Sequence, residues 1–116
     1  MANTGVTVTG VPGFPGQKIL ASWTFAGNFT GTAFEVPGMS DRCVQMKGTW
    51  DSASISLKGS NDGTNFEILR DPAGNSLTFT ADGLKQVLEN PRYLSPVSSS
   101  AGANANVTVT VFSVRS

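Results

Sequence analysis

The residues able to do chemistry in this sequence are few, and most stand where a turn would want them. Asp51, Asp62, Asp71 and Asp82 each sit beside Gly, Ser, Asn or Pro, and an aspartate in such a place hydrogen-bonds the backbone two residues on. A glycosidase needs two carboxylates facing a sugar about 5 to 10 Å apart, and nothing in the pattern brings two of these together. The run Asn61-Asp62-Gly63-Thr64-Asn65 spaces oxygen atoms around a glycine as a calcium loop does. The twelfth position counted from Asn61 is Pro72, however, which carries no side-chain oxygen, so a hairpin turn is the better reading. The chain has no His and a single Cys43, which removes the commonest general base and metal ligand and any intrachain disulfide. No nucleophile motif stands beside a base. The expectation is a protein that is not an enzyme, takes no cofactor and holds no metal.

The residues left to carry function are those that bind. Trp23, Trp50, Phe14 and Tyr93 would make a platform for a sugar ring, but Trp23 alternates with Ile19 and Phe25, and Trp50 with Val44 and Met46, which puts both tryptophans in the core. Val11 and Phe14 lie in the loop Gly10-Val11-Pro12-Gly13-Phe14-Pro15-Gly16, where an apolar tip is suited to anchor a neighbouring subunit. Arg92, between Pro91 and Tyr93, either pairs with a nearby carboxylate such as Glu89 or reaches a partner, since interfaces are enriched in arginine and tyrosine. Val11, Phe14, Arg92 and Tyr93 are the candidate interface residues.

The elements that must position them read as strands. The run Lys18 to Ala26 sets Ile19, Ala21, Trp23 and Phe25 on one face. Arg42 to Trp50 sets Val44, Met46 and Trp50 against Cys43, Gln45, Lys47 and Thr49, and Ser54 to Lys58 offers Ile55 and Leu57 to the core. Phe29 to Val36, Phe66 to Leu69, Leu77 to Thr80 and Arg92 to Leu94, up to Pro96, add shorter extended runs. Val107 to Val114 closes the chain with Val107, Val109 and Val111 opposite Thr108, Thr110 and Phe112. Gly63 is expected at positive φ in the connection between two of these strands. Leu84, Val87 and Leu88 fall at i, i+3 and i+4, which predicts one short helical turn near 82–89, ended by Asn90-Pro91. The fold class is all-β, a β-sandwich or jelly roll of about eight antiparallel strands. Residues 1–16 are expected as an N-terminal arm or edge segment, and 17–116 as a single domain.

Composition bounds the partner. The 116 residues include 8 Lys plus Arg and 8 Asp plus Glu, so no net charge draws the chain to a phosphate backbone or an anionic membrane. Charged residues make up 14% of the chain, well below the usual quarter or so, and such a surface is only modestly protected against association. Neither nucleic acid nor a membrane is expected as partner, and assembly with a protein or with another copy is. No stretch approaches a membrane span, and no basic segment followed by an apolar run marks the start for export, so synthesis in a cytoplasm is expected.

Three stretches carry a resemblance to a known family: Leu57-Lys58-Gly59-Ser60-Asn61-Asp62-Gly63-Thr64-Asn65-Phe66, then Asp71-Pro72-Ala73-Gly74-Asn75-Ser76-Leu77-Thr78-Phe79-Thr80, then Glu89-Asn90-Pro91-Arg92-Tyr93. They lie within residues 57–96, about a third of the 116-residue chain, and resemble the decoration, or cement, proteins on the heads of tailed double-stranded-DNA phages, some of which are jelly rolls. The resemblance implies a virion protein on the outer surface of the capsid, made in the host cytoplasm, whose partner is the major capsid protein and which stabilises the head by clamping neighbouring subunits. It further implies a homo-oligomer, dimer or trimer. The alternatives are a carbohydrate-binding or host-adhesion module on the same sandwich and a tail or neck structural protein.

Overall fold

The computed structural model describes residues 2–4, 7–10, 18–26, 29–35, 40–89 and 91–114. Among them run β1 (Ala2–Thr4), β2 (Thr7–Gly10), β3 (Lys18–Phe25), β4 (Phe29–Gly31), β5 (Phe34–Glu35), β6 (Ser40–Thr49), β7 (Ser54–Ser60), β8 (Glu67–Ile68), β9 (Thr78–Phe79), β10 (Gly83–Val87), β11 (Tyr93–Ser99) and β12 (Asn106–Val114). They form two sheets. The five-stranded sheet has the order β10-β6-β12-β3-β2, each neighbour antiparallel. The seven-stranded sheet has the order β1-β4-β11-β7-β8, with β5 also on β11 and β9 also on β7. All its pairs are antiparallel except β1 with β4.

Alternation decides which side of each strand is buried, and the two apolar sides meet between the sheets. Ala21, Trp23 and Phe25 of β3, Val44 and Met46 of β6, Ile55 and Leu57 of β7, and Val107, Val109 and Val111 of β12 are all buried, as the period-2 pattern predicts. Each large side chain among them contributes about 1.5–3 kcal/mol by leaving water. The indole of Trp23 also donates to the carbonyl of Thr32 at 2.9 Å, tying the layers together with its one polar atom. The chain is therefore an all-β sandwich.

Two backbone features fix the seven-stranded sheet. The amide of Leu57 donates to the carbonyl of Leu77, that of Leu77 to Leu69, and that of Leu69 back to Leu57, at 2.9, 2.8 and 3.0 Å. Three buried leucines thus close a ring of hydrogen bonds where three segments converge. On the other side of the sheet Pro96 lies inside β11, where it has no N–H to give β4. Neighbouring hydroxyls take over. Ser95 donates to the carbonyl of Gly31 at 2.7 Å, and Ser98 accepts from the amide of Phe29 at 2.8 Å.

Several sequence expectations change. Residues 82–89 form no helical turn: Gly83 to Val87 pair one by one with Met46 to Arg42, so the segment is an edge strand. Val87 alone is buried at 3% exposure, whereas Leu84 and Leu88 stand 65% and 52% exposed. Their helical spacing arises because Leu84 and Leu88 face outward and Val87 inward. The single run Phe29 to Val36 is two short strands, β4 and β5, both laid on β11, and the strands number twelve among the described residues rather than about eight. Extended structure also continues through Pro96 to Ser99. The loop holding Val11 and Phe14, the last residue of the run Phe29 to Val36, and Asn90 lie outside the described residues.

Candidate functional site

The four turn aspartates are committed to their own surroundings. Oδ1 of Asp62 accepts from the hydroxyl of Ser60 and the amides of Thr64 and Asn65, each at 2.8 Å, while Oδ2 accepts from the Asn65 side chain. These donors, the Asn65 amide foremost, hold the carboxyl far below the usual range. Asp71 accepts from the amides of Ala73 and Asn75, and the Asn75 amide is the main reason its pKa is lowered. Asp82 accepts from the indole of Trp50 at 2.8 Å and the amide of Gly48 at 3.1 Å, with the indole the larger cause of its lowered pKa. Asp51 accepts from the amide of Asn104 at 2.9 Å, in a turn where both Asp51 and Ser52 adopt positive φ. Asp62, Asp71 and Asp82, stabilised in the charged form, are poor proton donors. Among the described residues, no group of three or more His, Cys, Asp or Glu is placed to hold a metal ion.

Arg92 and Tyr93 come together at one end of the seven-stranded sheet, where β11 begins. Sheet pairing sets Tyr93 opposite both Ser60 of β7 and Glu35 of β5. The backbone amide of Arg92 donates to Oδ1 of Asn61 at 3.2 Å, and its guanidinium Nε donates to Oε2 of Glu35. The guanidinium carbon also stands 5.3 Å from the centre of the Tyr93 ring, within cation–π range. The hydrogen bond to Glu35 holds Arg92 more firmly in its charged form. The Tyr93 ring in turn lies over Gly63, whose φ of 79° matches the expected positive value and where a side chain would begin 3.3 Å from the ring. The Asp62 loop is thereby pressed into a fixed shape beside the arginine.

A polar cleft of about 420 Å³ continues from this corner, lined by Asn61, Asn65, Glu67, Arg70, Glu89 and Pro91 among others. Glu89 is occupied by Arg70, whose amide it accepts at 2.8 Å and whose Nε it approaches at 3.5 Å. The expected Arg92–Glu89 pairing is thus replaced by two other pairs, Arg92 with Glu35 and Arg70 with Glu89. A second groove of about 450 Å³ on the outer side of the same sheet is lined by Thr30, Thr32, Lys58, Phe66, Ser95 and Val97 among others. The tryptophans serve neither. Trp23 is 1% exposed, and Trp50 is half-buried at the strand end, where its ring packs against the core and its N–H meets Asp82.

Sequence reasoning missed Arg42, which shares the inward side of β6 with Val44 and Met46 and is 1% exposed, its pKa lowered by burial. The alternation Arg42-Val44-Met46 was its only signal. It also missed Glu35, 57 residues from Arg92, and the outward leucines of β10.

No protein-family model matches the sequence, and no curated protein matches it. Solved structures do match in fold. The SPBc2 prophage-derived protein YomS superposes with a TM-score of 0.65 at 15% identity, over 84% of this chain and 94% of its own. Peruvianin-I, a cysteine peptidase from Thevetia peruviana latex, gives 0.55 at 12% identity over 96% of this chain and 62% of its own. Recombinant oxalate oxidase in complex with glycolate gives 0.54 at 14% identity over 97% of this chain, which spans 52% of that protein. At these identities the likeness is one of fold, and one sandwich hosts unrelated functions.

Proposed function

We propose that this protein is a structural component of a tailed-phage particle, acting by binding, and that it sits on the outer surface of the head and clamps neighbouring major-capsid subunits. The observation that carries this reading is the likeness to a prophage-derived protein over most of both chains. The resemblance of residues 57–66, 71–80 and 89–93 to phage decoration proteins points the same way. The chemistry supports binding: the aspartates are occupied in shaping turns, and the corner of Arg92, Tyr93 and Glu35 offers an aromatic and a charge pair to a partner surface. Contacts repeated over an icosahedral shell add by multivalency, so each copy needs only modest affinity.

The test is imaging of purified particles with and without the protein, alongside co-sedimentation of the pure chain with heads. The expected result is density on the head exterior and saturable binding, reduced at least tenfold by R92A or Y93A in a folded protein. Density confined to the tail or neck, or no binding to heads, would overturn the reading.

A further inference from the structure

On the outward side of the seven-stranded sheet, β11 loses its strand neighbour for two residues. β4 pairs with it at Thr30 and Val97 and β5 at Phe34 and Leu94, so Ser95 and Pro96 face the two residues between those short strands. Pro96 has no N–H to hold the chain there, and the carbonyl of Thr32 is drawn instead to the indole of Trp23 at 2.9 Å. The groove of about 450 Å³ lies at this break. Its shape is preset. Gly31 sits so close that a Cβ would come within 2.7 Å of Cδ of Pro96, and the Ser95 hydroxyl donates to the Gly31 carbonyl at 2.7 Å.

The lining carries one charge. Phe66 and Val97, both half-buried, give the groove apolar walls. Lys58, half-buried as well and in register with Ser95, is the only charged side chain among the described residues that line it. Lys58 makes no ion pair among the described residues, whereas Arg70, Lys85 and Arg92 each meet a carboxylate. A cation partly withdrawn from water without a counter-ion is unfavourable until one arrives. We propose that the groove docks an extended segment of a partner protein, which lays an aliphatic or aromatic side chain against Phe66 and Val97 and sets an Asp or Glu carboxylate on Lys58. Charge complementarity asks for the acidic residue. Continuity asks for the extended form. Tyr93, Ser95 and Val97 alternate along the outward side of β11 in steps of about 7 Å, so the groove runs on from the corner of Arg92, Tyr93 and Glu35. An extended chain repeats at that same step, so one segment spans both places, which a small free acid does not. That the segment belongs to the major capsid protein rests on the proposed role; the groove and the chemistry it selects do not.

Selection from a random displayed peptide library on the immobilised full chain, without particles, tests this. The expected result is enrichment of peptides with Asp or Glu two residues from a large apolar side chain. The strongest of them, measured by calorimetry, is expected to bind K58M and V97K at least tenfold more weakly and K58R within about threefold of wild type. K58M keeps an unbranched stem on the outward side of the sheet, so the fold is retained, which an unchanged urea midpoint checks. Leu84→Ala, on the other sheet, is expected to bind like wild type. No enrichment, enrichment without acidic residues, or equal binding to K58M would overturn the proposal. Co-sedimentation with heads is read separately, and K58M is expected to lose about tenfold there. Heads that bind K58M as well as wild type but release R92A would remove the groove from the interface and overturn the proposal with the proposed role intact. Heads that bind no wild-type protein would overturn the proposed role, and the peptide result alone then decides the groove.

Discussion

Truncating Leu57 to alanine tests the account of the core at its most constrained point. The side chain is fully buried, and its loss removes three carbons, worth about 2.4 kcal/mol at about 0.8 kcal/mol per methylene. A cavity term follows, whose size depends on how far the surroundings collapse. Here they are held apart. Leu57 donates its amide to Leu77 and receives that of Leu69, so the segments lining the cavity cannot close without breaking a buried hydrogen bond. The total is therefore expected at about 4 kcal/mol, near the upper end for such substitutions. A chain of 116 residues has an unfolding entropy near 0.24 kcal/mol/K at about 2.1 cal/mol/K per residue, so Tm is expected to fall by about 16 °C. Far-UV circular dichroism during heating and in urea, at fixed protein concentration, measures both quantities. Leu84→Ala is the internal control: it deletes the same atoms from an exposed site and is expected to stay within about 0.5 kcal/mol of wild type. A loss below about 2 kcal/mol for Leu57→Ala, or equal losses at the two sites, would refute the reasoning.

Gly48→Ala is expected to be more severe than any surface change, because a Cβ there would meet the carbonyl of Asn106 and come within 2.8 Å of the Cα of Val107; a folded protein with an unaltered urea midpoint would count against this. Asp62, Asp71 and Asp82 all have folded pKa values below their ordinary ones, so each contributes stability above its unfolded pKa that is lost as pH falls through the folded value. The urea midpoint is thus expected to hold level from pH 7 to about 5 and to drop below about pH 4, and a midpoint unchanged down to pH 2 would show that the three carboxylates stabilise nothing. Carbon-detected NMR titration is expected to find Asp62 ionised throughout the usual carboxylate range, and a midpoint near 4 would contradict the donor count around it. Trp50→Phe keeps an aromatic, though smaller, side chain and removes the donor to Asp82, so faster hydrogen exchange is expected at Gly48, with β7 unaffected.

The sandwich was legible wherever a strand is buried on one side and wet on the other. In β3, β6, β7 and β12 the period of two names the buried residues nearly one by one. Turn chemistry was equally readable, since Asp62-Gly63 needs only local sequence to set φ and cap its own amides. What escaped depends on distant chain. β10 was misread because Leu84 is exposed on the flat side of a sheet, a place where a strand shows the apolar spacing of a helix. Pro96 was read as a strand end because its missing donor is replaced by hydroxyls of Ser95 and Ser98 reaching β4. The corner at Arg92 was recognised by residue type, but its carboxylate lies on β5, and only the sheet brings Glu35 there.

The ring of leucine amides has a consequence for engineering. The hairpin through Asp62 and the turn through Asp71 both depart from and return to the same three hydrogen bonds, so each is a closed excursion whose ends are fixed regardless of what lies between them. Lengthening such a loop costs only about 0.6 kcal/mol per doubling. Foreign peptide placed between Ala73 and Gly74, an exposed stretch with no other atom near the glycine's missing side chain, would therefore be carried outward while the sandwich beneath keeps its register.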